Sequence, residues 1–125
     1  MAPSAIILHA KSRTLEITFG DDENYVLPCE YLRVYSPSAE VRGHGSGQEV
    51  LQTGKINVAI TDVQPVGNYA LQLVFDDGHD TGIFSWDYLR QMGANQPQWW
   101  QRYLEQIAAA GASRDPDVQV LTFDP

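Results

Sequence analysis

Short runs in which apolar and polar residues alternate dominate the first third of the chain, and a period of two predicts half-buried β-strands. Leu15, Ile17 and Phe19 fall on one face of a strand over residues 15–19, with Glu16 and Thr18 on the other. Residues 5–9 read as a strand before it. Gly20-Asp21-Asp22-Glu23-Asn24 is turn chemistry, and residues 25–27 return as a third strand. Pro28 suits the first turn of a short helix over 29–35, which Pro37 stops.

No hydrophobic period persists over 36–54, and Gly43-His44-Gly45-Ser46-Gly47 falls within that stretch, so an exposed, mobile loop is expected there. Ile56, Val58 and Ile60 alternate with Asn57, Ala59 and Thr61, predicting a strand that runs to about residue 66, with Pro65 marking an edge or a bulge. Gly67-Asn68 signals a hairpin, and residues 69–75 form its return strand, with Leu71, Leu73 and Phe75 facing the core. Asp76-Asp77-Gly78-His79-Asp80 makes the next turn, residues 81–84 a last core strand, and Ser85 the N-cap of a helix starting at Trp86.

The longest helical pattern comes last. Asn95 is its candidate cap, Pro97 sits in its first turn, and Trp100, Tyr103, Leu104, Ile107 and Ala108 make one apolar stripe. Gly111 ends it, and residues 112–125 are expected to be a flexible tail in which 118–123 can pair as a strand.

The chain also resembles itself. Leu15-Glu16-Ile17-Thr18-Phe19 followed by Tyr31-Leu32-Arg33 echoes Leu71-Gln72-Leu73-Val74-Phe75 followed by Tyr88-Leu89-Arg90. Each unit is a strand, an acidic turn, a strand and a short helix. Two units are too few for a solenoid. They predict an α+β fold: a mostly antiparallel sheet, helices packed on one face, and a C-terminal amphipathic helix. In both short helices the Tyr and Leu are core contacts, and the Arg is expected to snorkel over them.

Composition narrows the setting. A hydrophobic fraction of 43% in 125 residues supports one domain with a real core, placed at residues 5–111. Cys29 is the only cysteine, so no internal disulfide forms and a reducing, cytoplasmic location is expected. No secretory signal is legible in the first residues, and no stretch approaches the roughly 20 apolar residues of a membrane span. Eight basic against 16 acidic side chains give a net charge of −8, which repels phosphate backbones and anionic membranes. Neither nucleic acid nor membrane is therefore expected as a partner. A basic protein or a cation is electrostatically easier.

Candidate chemistry concentrates at Asp76-Asp77-Gly78-His79-Asp80. Carboxylates beside a histidine raise its pKa and hold its ring, as a metal site or a general base needs. The same residues are what a tight hairpin requires, and no second histidine stands at ligand spacing; His44 would have to join through space. Gly43-His44-Gly45-Ser46-Gly47-Gln48 lacks the Gly-Lys-Ser/Thr ending of a phosphate loop, and Gly54-Lys55 is followed by Ile56, which has no hydroxyl for Mg²⁺. Cys29 at a strand–helix junction reads as a buried thiol rather than a reactive one. Trp99 lies off the apolar stripe and is a candidate partner contact.

Leu27-Pro28 with Tyr31-Leu32-Arg33, Ser36-Pro37-Ser38-Ala39-Glu40-Val41, Pro65-Val66-Gly67-Asn68-Tyr69, and Phe75 to Asp80 running on through Trp86 to Leu89 form an ordered series. Over residues 6–94 it resembles the γ-butyrobetaine hydroxylase-like N-terminal domain family, long filed as a domain of unknown function. In relatives this domain precedes an iron- and 2-oxoglutarate-dependent oxygenase domain, is fused to P-loop ATPases carrying iron–sulfur clusters, or stands free in bacteria. In the hydroxylases it holds a structural zinc through three cysteines and one histidine. The resemblance places those cysteines at Ser36, Ser38 and Val41 and the histidine at His79. Serine is a poor zinc ligand and valine is none, so the resemblance implies that this thiolate-rich site is lost and that His79 is left in its turn without partners. Nor does a His-x-Asp/Glu pair exist here: His9, His44 and His79 are followed at the acidic position by Lys11, Ser46 and Thr81.

Three readings follow. The first is a non-catalytic binding or adaptor domain, with an iron–sulfur carrier or iron enzyme as its protein partner and no cofactor of its own. The second is a weak iron or zinc binder using His79, Asp76, Asp77, Asp80 and His44. The third is a small enzyme whose site lies around His79 and Trp86, which requires a concave pocket there.

Overall fold

In a computed structural model, which describes residues 1–43 and 47–118, the elements follow the order β1 (Ala5–His9), β2 (Thr14–Phe19), β3 (Glu23–Pro28), α1 (Cys29–Val34), α2 (Ala39–Arg42), β4 (Ile60–Val66), β5 (Ala70–Phe75), β6 (Ile83–Ser85), α3 (Trp86–Ala94) and α4 (Gln96–Ala109). The expected antiparallel sheet is divided in two. Strands β1-β2-β3 form one antiparallel meander and β4-β5-β6 the other, each followed by a helix. The two units of the sequence echo are thus two βββα modules.

Their central strands carry the core. Leu15, Ile17 and Phe19 of β2 and Leu71, Leu73 and Phe75 of β5 are all buried, as the alternation predicts. They join Leu27, Phe84, Leu32, Leu89 and Met92 in one cluster drawn from both sheets and from α1 and α3. A smaller cluster of Val34, Tyr103 and Ile107 seats α4 against α1.

The modules are tied by reciprocal bonds between equivalent residues. The Tyr31 hydroxyl of α1 donates to the Met92 carbonyl of α3 at 2.7 Å, and the Tyr88 hydroxyl of α3 donates to the Tyr35 carbonyl at the end of α1 at 2.6 Å. In each case the acceptor lies four residues beyond the partner helix's own tyrosine. The arginines cross in the same way. Arg33 donates to Asp77 in the second module's turn at 2.8 Å, and Arg90 donates to Glu23 beside the first module's turn at 3.2 Å. Arg90 also lies 4.5 Å from the Phe19 ring centroid, but Arg33 is itself buried, so the expected snorkelling gives way to cross-module ion pairing.

Several boundaries differ from expectation for identifiable reasons. The 36–54 segment contains α2, a single turn of helix too short to show a hydrophobic period. Residues 56–59 are not strand: the Val58 amide donates to the Lys55 carbonyl in a turn, and the Ala59 amide donates to Asp76 Oδ1. Val58 still reaches the core, which is what mimicked strand alternation. Pro65 does lie on an edge strand, but the bulge falls earlier, between Ile60 and Asp62. The hairpin loop has three residues, Gly67 to Tyr69, with Gly67 at φ +55°.

Ser85 caps α3 by accepting from the Tyr88 amide, whereas the Asn95 side chain donates back to the Gln91 carbonyl and does not cap α4. Beyond Gly111 the chain is tied down at first. The Ser113 and Arg114 carbonyls accept from the Gly54 and Ile56 amides, and Arg114 grips Glu30 of α1 with two bonds of 2.6 and 2.7 Å. All but the first residue of the expected 118–123 strand lies outside the described residues. Among the described residues no helix is long and apolar enough to cross a membrane.

Candidate functional site

The turn between β5 and β6 places His79 inward, with 4% of its surface exposed. Its backbone amide donates to Asp77 Oδ1, which curls the turn so that the ring passes under α2. Nδ1 stands 3.0 Å from Glu40 Oε2 of α2, and Nε2 stands 2.9 Å from Ser36 Oγ and 3.4 Å from Ser38 Oγ. A carboxylate accepts here, so Nδ1 donates to Glu40, and in the neutral ring Nε2 then accepts from Ser36. His79 is therefore not left without partners. Serines from the segment after α1, more than 40 positions away in sequence, satisfy it.

This is the order of groups in a serine–histidine–acid relay, but its accessibility is wrong for catalysis. Ser36 has 0% exposure, and a Cβ placed at Gly82 would overlap its Oγ. No substrate carbonyl reaches a hydroxyl enclosed in that way. The acid, in contrast, is the exposed member, with 63% of the Glu40 side chain accessible. The cluster holds α2, the β5–β6 turn and the chain after α1 together.

The three aspartates do not converge on the ring. Asp76 Oδ1 accepts from the Ala59 amide. Asp77 Oδ2 accepts from Arg33 at 2.8 Å and Lys55 at 2.6 Å, and Asp80 offers only its backbone carbonyl, to Gln72. Burial opposes the charge of Asp77, but Lys55, the His79 amide and Arg33 together outweigh it and hold the carboxyl down at about 2. Among the described residues no group of three His, Cys, Asp or Glu side chains is placed to hold a metal ion. His44 lies outside the described residues.

The implied zinc does not fit these donors. Ser36, Ser38 and His79 do stand together, and Val41 is buried on the adjoining helix. Two neutral hydroxyls, a methyl-bearing side chain and a ring already bonded at both nitrogens make no tetrahedral thiolate site.

Two further expectations resolve. Cys29 is buried at the β3–α1 junction, and burial pushes its thiol up, away from reactivity. Trp99 is half-buried, packed against Tyr35 and Tyr88 at centroid distances of 5.4 and 6.1 Å, and so is part of the helix packing rather than a projecting contact.

A cleft of about 650 Å³ opens beside α2, walled by Val34, Val41, Leu51, Tyr88 and Tyr103 and bordered by Arg42 and Arg102. Sequence reasoning missed it, because its walls come from α1, α2, α3, α4 and the 36–54 segment. Ser36 lines it, but neither His79 nor Trp86 does.

Fold and site together define a small α+β domain of two cross-tied βββα modules with an enclosed histidine cluster. The chain belongs to the γ-butyrobetaine hydroxylase-like N-terminal family, whose model matches residues 6–90. It is similar to two proteins solved in solution by NMR. One is 54% identical, with a TM-score of 0.82 over 98% of this chain and 96% of that one. The other is 49% identical, with a TM-score of 0.79 over 99% and 93%. It is also similar to a protein of unknown function of the DUF971 family from Acidithiobacillus ferrooxidans, 41% identical with a TM-score of 0.63, covering 74% of this chain and 93% of that one. No curated protein matches the chain significantly.

Proposed function

We propose that this chain is a non-catalytic adaptor domain that presents a folded surface to a protein partner, an iron–sulfur carrier or an iron enzyme. The observation that carries the non-catalytic half is the enclosure of Ser36: in the one serine–histidine–carboxylate chain among the described residues, the hydroxyl and the ring are buried and spent on holding the fold. The partner half is supported by the resemblance, since relatives carry this domain beside iron-dependent oxygenases and cluster-bearing ATPases.

The test uses the intact chain as bait in a cell lysate, with bound iron proteins identified by mass spectrometry. Retention of an iron–sulfur carrier or iron enzyme at stoichiometric level is expected, and recovery of none contradicts the partner assignment. Covalent labelling of Ser36 by a fluorophosphonate probe would contradict the non-catalytic assignment separately.

A further inference from the structure

The cleft beside α2 is bordered by two arginines in an otherwise acidic molecule. The chain carries net charge −8, and four of its eight basic side chains, Arg33, Lys55, Arg90 and Arg114, are engaged with carboxylates. Of the other four, Lys11, Arg13, Arg42 and Arg102, none has a carboxylate partner among the described residues, and Arg42 and Arg102 both border this cleft. Arg42 is held in place by stacking on the Tyr88 ring, 4.7 Å from its centroid.

Other polar groups of the wall are already used. The hydroxyls of Tyr35, Tyr88 and Tyr103 donate to the carbonyls of Trp99, Tyr35 and Gln52. With their hydroxyls spent, these tyrosines offer the cleft aromatic surface and no free donor. Val34, Val41 and Leu51 add aliphatic surface. Glu49 also lines the cleft and opposes a second negative charge on any occupant.

We propose that the cleft binds a small monocarboxylate with an apolar body, its carboxylate between Arg42 and Arg102 and its chain against Val41, Leu51 and the tyrosine rings. A guanidinium matches a carboxylate with two parallel hydrogen bonds, and the volume lies within the range of small-molecule sites. The cleft adjoins the His79 cluster through Ser36, which lines it, but the proposed contacts use none of the cluster's polar groups, and the proposal stands whether or not an iron-protein partner exists.

Amide NMR titration of the intact chain tests it with hexanoate, hexylammonium and inorganic phosphate as probes. Hexanoate should give saturable shifts at the amides of Val34, Tyr35, Leu51 and Tyr103, with a Kd on the order of 1 mM or tighter. Hexylammonium and phosphate should not saturate in that range. The R42Q/R102Q variant should lose at least about tenfold in hexanoate affinity. R102E alone, on an exposed face of α4, should do the same if the double variant folds poorly. Equal response to the amine, saturable binding of phosphate, undiminished affinity in both arginine variants, or no saturable response to hexanoate would each overturn the proposal.

Discussion

The two modules share a plan but not a turn. In the first, residues 20–22 join β2 to β3, and the turn does no more than reverse the chain, with Gly20 at φ +62°. In the second, residues 76–82 join β5 to β6, and β6 shortens to Ile83–Ser85 where β3 runs from Glu23 to Pro28. Strand pairing given up in the second module releases enough backbone to fold His79 inward beneath α2. The first module reaches across the molecule at this end only from Glu23, the first residue of β3, while the second turn both receives Arg33 and anchors the segment after α1. One scaffold thus carries an ordinary reversal and a structural clasp at equivalent places.

That comparison fixes what substitutions should do. Ile17 and Leu73 sit at equivalent central positions, both at 0% exposure, so Ile17→Ala and Leu73→Ala should each cost about 2–5 kcal/mol in denaturant unfolding. Similar losses mean that the modules share one cooperative core, and a small loss in one alone would mean that they do not. The crossing arginines should differ instead. Arg33 is buried and shared between Asp77 and Gln52, so Arg33→Ala should cost about 2–3 kcal/mol by leaving Asp77 short of a donor. Arg90 and Glu23 are more exposed, and Arg90 Nε has no partner, so Arg90→Ala should cost about 1 kcal/mol or less.

Asp77 gives the same contrast a pH dependence. Its carboxyl is held down at about 2, below the ordinary carboxylate value of about 4, so its stabilisation is present above pH 4 and lost as pH falls toward 2. The pH-dependent part is worth about 1–2 kcal/mol, and acid titration of unfolding should lose that slope in Asp77→Asn. A similarly small effect is expected at the helix starts. Ser85 caps α3 while Pro28 precedes α1 with no side-chain cap, so Ser85→Ala should cost about 1 kcal/mol with no counterpart in the first module.

Much of this plan was legible in residue spacing. The alternations at 15–19 and 71–75, the turn residues, the Ser85 cap and the repeated Tyr-Leu-Arg all express local rules, and each module forms its own elements from them. What lay beyond reach is what crosses between modules. Nothing local in Arg33 shows that it pairs with Asp77, or that Ser36 satisfies His79. A four-residue helix has no period to detect, and Val58 dips into the core from a turn, imitating a strand. The family resemblance named the positions that meet around His79, although it could not show that hydroxyls and Glu40 take up the ring.

The clasp around His79 occupies, with hydrogen bonds, the positions at which the family resemblance places a zinc site. Zinc stoichiometry measured by elemental analysis, on the natural chain and on the S36C/S38C/V41C variant, both purified after growth in zinc, tests it most directly. One tightly held zinc per chain is expected in the variant, lost again when His79→Ala is added, and none in the natural chain. A folded variant that takes up no zinc, or a natural chain that retains zinc through His79, would contradict it.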